Sequence, residues 1–137
     1  SIIADPNRWS HAAGPAPDDA LLSDARLLWI VCKHLSSNAI AVGGGGRLVG
    51  AGTGQVDRVG ACALAIERAG EALDSIDCPI AVSDAFFPFA DGPTLLADAG
   101  VRCIVQPGGS KRDDETIELC NDRGITLLMT GVRHFRH

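Results

Sequence analysis

Three apolar runs in the second half of the chain, at residues 80–82, 101–105 and 125–129, are short, and each gap between them has room for one helix. Runs of that length bounded by turn-forming residues suit strands, since a globular helix usually needs ten or more residues. Residues 93–99 and 113–121 read as the intervening helices, the second ended near Gly124, because glycine accepts the backbone twist that closes a helix. Strands alternating with helices build a layered α/β sheet. Upstream, residues 38–42 form an apolar strand, Gly43, Gly44, Gly45 and Gly46 a turn, and residues 47–49 a return strand, which together make a hairpin. An antiparallel hairpin makes the sheet mixed. The expected fold class is therefore α/β: a three-layer α/β/α unit with a mixed central sheet.

Two further helices are expected before the first of those runs. From residue 21 to 34, Leu21, Ala25, Leu28 and Cys32 share one stripe with Leu22 and Trp29 beside it, and Lys33 and His34 fall in the last turn. From residue 57 to 69, Asp57 is the expected cap, Val59, Cys62, Ala63 and Ile66 the expected buried face, and the many small residues imply close packing. Residues 1–20 are interrupted by Pro6, Pro15 and Pro17 and read as an extended segment or domain edge, leaving 21–137 as the folded unit.

Charge and cysteines restrict the function classes. A formal charge of -5 has the wrong sign for a general nucleic-acid surface, whose affinity comes from neutralised phosphates, although a local cluster can still hold a small anionic ligand. No apolar run approaches the roughly 20 residues of a membrane span, and residues 1–5 carry no secretory pattern, so a cytoplasmic protein is expected. The five cysteines are widely spaced and lack zinc spacing, which points to reduced, buried thiols and no metal. The zinc-deaminase signature is missing as well. The four glycines lack the Gly-Lys-Ser/Thr ending of a phosphate loop.

Polar and aromatic residues gather in a few places. Phe86, Phe87, Pro88 and Phe89 follow a strand and are flanked by Ser83, Asp84 and Asp91, a mixture suited to flat heterocycles, although one or two of the rings also suit the core. Asp91 can accept from a ring amide or cap the next helix. Gln106, Pro107, Gly108, Gly109 and Ser110 stand at a strand end, the crevice position favoured for ligands in open α/β sheets, or form a plain turn. Asn38, at a strand start, can orient an amide or cap a connection. The ending Arg133, His134, Phe135, Arg136, His137 is basic on an acidic chain. It reads either as a solvated tail or as a tail whose Arg133 grips phosphate bidentately.

These segments, in order, resemble the AICAR transformylase/IMP cyclohydrolase family of bifunctional purine enzymes. The likeness rests on residues 83–89 with Asp91, residues 106–110 with Arg112 and Asp113, and Thr130 and Gly131 with the basic ending. It also takes in Lys33, His34, residues 37–40 and residues 50–55 with Arg58. The resemblance implies the C-terminal, cytidine-deaminase-like unit of the formyltransferase domain, without zinc. It implies transfer of a formyl group from the cosubstrate 10-formyltetrahydrofolate to AICAR ribonucleotide, at sites formed in a homodimer. By the same resemblance Asn38 orients the substrate carboxamide as the catalytic-site residue. Arg58, Phe86, Phe87, Pro88 and Arg133 serve the substrate, and Phe89 and Asp91 the folate. Two positions depart from the family pattern: Ala90 stands where arginine is usual, and the four glycines replace a more polar turn. The family's catalytic Lys-His pair belongs to the preceding unit, so Lys33 and His34 are not that pair, and the cyclohydrolase domain is absent from these residues. The expectation is a part of the enzyme that is inactive alone. The alternative is a noncatalytic nucleotide- or folate-binding or assembly module.

Overall fold

The computed structural model describes residues 5–131. Six strands form one sheet: β1 (Ser10–Ala13), β2 (Ile40–Gly44), β3 (Arg47–Gly52), β4 (Ile80–Ser83), β5 (Cys103–Gln106) and β6 (Thr126–Met129). Their order across the sheet is β1-β6-β5-β4-β2-β3. The β4–β5 and β5–β6 pairs are parallel, whereas β1–β6, β2–β3 and β2–β4 are antiparallel. The sheet is mixed, as the early hairpin required. Four α-helices flank it: α1 (Asp19–Cys32), α2 (Arg58–Ala69), α3 (Asp91–Asp98) and α4 (Asp113–Arg123).

Alternation along the strands feeds two separate cores. Ile40, Val42, Ala81, Ile104 and Leu127 face one side, where they meet Cys62 of α2, Leu96 of α3 and Cys120 of α4. Ala41, Ile80, Val82, Cys103, Val105 and Leu128 face the other, where Ala25, Leu28, Trp29 and Cys32 of α1 cover them. Full burial of each large aliphatic side chain contributes about 1.5–3 kcal/mol, so both layers are tied firmly to the sheet. The expected stripe of α1 is present, with Leu21 only partly buried. The helix starts at Asp19, with the Asp18 carboxylate accepting from Leu21 N, and ends at Cys32. Lys33 is its cap residue, with Nζ 5.5 Å from the Trp29 ring centroid.

Two local differences from the sequence reading have clear causes. Within residues 1–20, the segment 10–13 joins the sheet by pairing with β6. Its pattern of a serine, a histidine and two alanines carries no apolar alternation to announce a strand. The buried face of α2 is also rotated from the expected one: Ala61, Cys62, Ala65 and Ala69 are buried, while Ala63 is exposed and Val59 and Ile66 are intermediate. The reason lies in β3. Gly50 and Gly52 face α2, and a Cβ on Gly52 would stand 2.1 Å from the Ala61 carbonyl oxygen. The alanine row of α2 rests directly on these glycines, so size rather than hydrophobicity selects the contact face. At the hairpin, Gly45 and Gly46 have φ of 60° and 80°, the two-positive-φ turn that matches strand twist.

Gly52→Ala should force α2 away from β3 and cost about 1–3 kcal/mol or more, as core overpacking does. Urea unfolding followed by circular dichroism checks this, and Gly124→Asn, at a helix-ending left-handed position with open space around it, should cost far less.

Candidate functional site at the strand ends

Because β2 runs against β4 while β4, β5 and β6 run together, the start of β2 and the ends of the three parallel strands share one end of the sheet. Ile40 pairs with Ser83, Val82 with Val105, and Gln106 with Met129. Asn38, residues 84–89 and residues 106–110 therefore all emerge at that end. The cap of α2 sits there too. The Asp57 side chain accepts from Gly60 N at 2.6 Å, and the next residue, Arg58, is the first of the helix.

The centre of this end is an ionic cluster. The Arg58 guanidinium pairs with Asp84, and the two side chains are 8% and 2% exposed. Arg58 Nη1 also donates to the Ala39 carbonyl at 3.3 Å, and Nη2 donates to Asn38 Oδ1 at 2.6 Å. Asp84 Oδ1 accepts in addition from Ala39 N at 3.2 Å, and Oδ2 from Ser37 Oγ at 2.5 Å. Asn38 Nδ2 donates to the Gln55 carbonyl at 2.9 Å, while the backbones of Asn38 and Gln55 exchange two hydrogen bonds. Three segments are thus locked together: the approach to β2, the loop before α2, and the exit from β4. Asp84 was legible only as a polar flank of the aromatic segment. A carboxylate at the exit of a strand whose first three residues are apolar, with only Ser83 between, is the signal that it is buried and needs a cation.

The aromatic residues separate by depth. Phe87 is 1% exposed and belongs to the α2–α4 core, Phe86 is intermediate, and Phe89 is 51% exposed with the Arg112 guanidinium 5.0 Å from its ring centroid. Pro88 and Asp91 are exposed, and Asp91 Oδ1 accepts from Gly92 N within the first turn of α3. Gln106 is 1% exposed. Its Oε1 accepts from Phe87 N at 3.2 Å, and among the described residues its Nε2 finds no acceptor. The glycine loop after Gln106 is closed by Asp113, whose two carboxylate oxygens accept from Gly109 N and Ser110 N. A carboxylate occupying those donors turns the loop away from anion binding. Thr130 N and Gly131 N donate to the Gln106 and Pro107 carbonyls, so the described chain stops beside this loop. Arg133 lies outside the described residues. His34 is exposed just after α1. A cleft of about 550 Å³ that includes Asp18, Asp24, Asp77 and Arg102 lies at the opposite end of the sheet.

Among known proteins, residues 1–68 match the family model of the AICARFT/IMPCHase bienzyme. Over 133 residues, 97% of its length, the chain is 52% identical to the bifunctional purine biosynthesis protein PurH of Cutibacterium acnes. Over 129 residues it is 47% identical to the PurH of Corynebacterium glutamicum strain R. The chain belongs to the AICARFT/IMPCHase family. It spans 25% and 24% of the length of these two curated relatives. A solved structure described as a guanine deaminase from Nitrosomonas europaea superposes with a TM-score of 0.50 at 21% identity, over 92% of this chain and 81% of that one, a likeness of fold alone. In this AICARFT/IMPCHase chain, Ala90 is the cap residue of α3 and supplies no side-chain cap bond.

Thiol chemistry in this family member is muted. Desolvation pushes Cys32, Cys62 and Cys120 up to about 12, with Asp84 adding to the rise at Cys32 and Arg58 opposing it at Cys32 and Cys62. Burial also raises Cys103 and, at the surface, Cys78.

Two outcomes follow from this geometry. Arg58→Met leaves the Asp84 charge buried and unpaired and should cost about 3–5 kcal/mol in denaturant unfolding, with Arg58→Met/Asp84→Leu costing less than the single change. The raised thiols make stability fully present below pH 9, since folded and unfolded chains then hold the same thiol protons. As the pH rises from 9 towards 12 the unfolded chain releases protons that the folded chain keeps, so stability should fall by up to about 1.4 kcal/mol per pH unit for each of the buried thiols of Cys32, Cys62 and Cys120. Unfolding curves across that range check the slope, and replacing Cys120 with alanine should reduce it.

Proposed function

We propose that this chain supplies the C-terminal, cytidine-deaminase-like α/β/α unit of a formyltransferase domain. In that reading it helps transfer a formyl group from 10-formyltetrahydrofolate to the amino group of AICAR ribonucleotide in purine biosynthesis. The observation that carries the reading is the Asn38 carboxamide held by Arg58 and Gln55 at the end of the sheet from which the aromatic segment emerges. An arginine can only donate and a carbonyl can only accept, so Asn38 must turn Oδ1 to Arg58 and Nδ2 to Gln55. One N–H and one lone pair are left over, and a ligand carboxamide has need of both. Holding that carboxamide fixes the direction of the neighbouring amine, and orientation of a nucleophile within about 1 Å is worth roughly a hundredfold in rate.

The other residues take roles around this amide. The two guanidinium N–H groups of Arg58 not used by these bonds, together with Arg133, serve the nucleotide. Phe86 and Pro88 line the pocket with Phe87 as its floor, and Phe89 and Asp91 meet the folate. A second copy in a homodimer completes the site. The Lys-His unit and the cyclohydrolase domain belong to other parts of the protein, whose setting is cytoplasmic and involves neither nucleic acid nor membrane. Without that pair the general acid–base contribution, worth about a hundredfold to ten-thousandfold, is missing from residues 1–137.

Asn38→Ala in the complete protein should lower kcat about a hundredfold. Arg133→Ala should weaken AICAR ribonucleotide binding about tenfold to a hundredfold. Purified residues 1–137 should show no turnover. Unchanged kcat in Asn38→Ala overturns the reading, and ligand binding by a complete protein that has no turnover would favour the noncatalytic module instead.

A further inference from the structure

We propose that Asp84 is a positioning residue of the strand-end site: acting through Arg58, it holds the Asn38 carboxamide in the orientation in which it meets a ligand. The inference rests on the function proposed for Asn38 and extends it to a residue that touches no ligand. Asp84 is 2% exposed, whereas Asn38 is intermediate. The carboxylate is built into the wall behind the amide.

The three carboxylate links are bonds that a neutral side chain would weaken, and a backbone bond adds a fourth. Asp84 Oδ1 anchors Arg58 Nη1 and the Ala39 N–H, Oδ2 accepts from Ser37 Oγ, and the Asp84 N–H donates to the Ala39 carbonyl. One acid therefore grips residues 37 and 39, on both sides of Asn38, and also the guanidinium that reads Asn38 Oδ1 at 2.6 Å. A charge-assisted bond holds its donor more firmly than a neutral one. With the charge removed, Arg58 keeps only its bonds to neutral acceptors, the Ala39 carbonyl and Asn38 Oδ1, and is drawn more easily to water or a ligand anion. Asn38 is then held less firmly and can turn about its side-chain torsions. The consequence falls on catalysis, because a carboxamide that is present but rotated binds without orienting the reacting amine.

Steady-state kinetics of the complete protein separate this role from a structural one. Asp84→Asn, which keeps the shape and removes the charge, should lower kcat about tenfold to a hundredfold with a smaller change in KM for AICAR ribonucleotide, rates being taken per folded molecule. In an Asn38→Ala background the same change should lower kcat no further, since the group it positions is gone. Ser37→Ala, which loosens Asp84 without leaving a charge unpaired, should repeat the pattern with a smaller loss and carries the test if Asp84→Asn does not fold. Full kcat in folded Asp84→Asn beside a crippled Asn38→Ala overturns the positioning role alone, as does a loss that multiplies in the double variant. Full kcat in Asn38→Ala overturns the functional reading and the positioning role together.

Discussion

A carboxylate that is 2% exposed sets the terms for one end of this molecule. Isolated burial of such a charge costs several kcal/mol, and the surrounding chain is arranged around Asp84 to offset it. The Arg58 guanidinium, the Ala39 N–H and the Ser37 hydroxyl all converge on its two oxygens. Those partners come from the approach to β2 and the first turn of α2, so the pairing also decides where a strand and a helix begin. The Asp57 cap fixes the helix start one residue before the arginine, which leaves Arg58 little choice of direction. Local helix chemistry and a long-range ion pair thus reinforce each other.

The sheet explains why residues distant in sequence share this end of the molecule. Antiparallel β2 brings Asn38 to the same end as the exits of β4 and β5, so a polar amide, an aromatic segment and a glycine loop meet without any of them lying in a continuous stretch of sequence. Strand ends in open α/β sheets have this property generally. Here the loop after β5 is spent on its own Asp113, and the ionic cluster lies on the side of β2 and β4.

Much of the architecture was legible from local pattern. The α1 stripe, the Asp57 cap and the strand-helix alternation each follow from residue types at short range, and the four glycines marked the hairpin, although Gly43 and Gly44 continue β2 and the turn is Gly45 and Gly46. The part that was not legible depended on surfaces meeting. The sheet pairing of residues 10–13 rests on β6 accepting a partner, and the true face of α2 rests on the lack of side chains at Gly50 and Gly52. Among candidate site residues, Asn38 and Arg58 could be named from their segments, yet their mutual hydrogen bond and their common dependence on Asp84 required the fold. Phe87 shows the same limit from the other side: three phenylalanines sit within four residues, and only packing decides which ring enters the core.

The two cores also divide what an optical experiment can see. Both tryptophans of the chain, Trp9 and Trp29, lie in the layer covered by α1, with ring centroids 6.0 Å apart. Their emission reports on that layer and is silent about the opposite one, where α2, α3 and α4 pack. Loosening confined to the three-helix side would leave the fluorescence of this protein almost unchanged, so tryptophan emission follows global melting but not local opening of that layer.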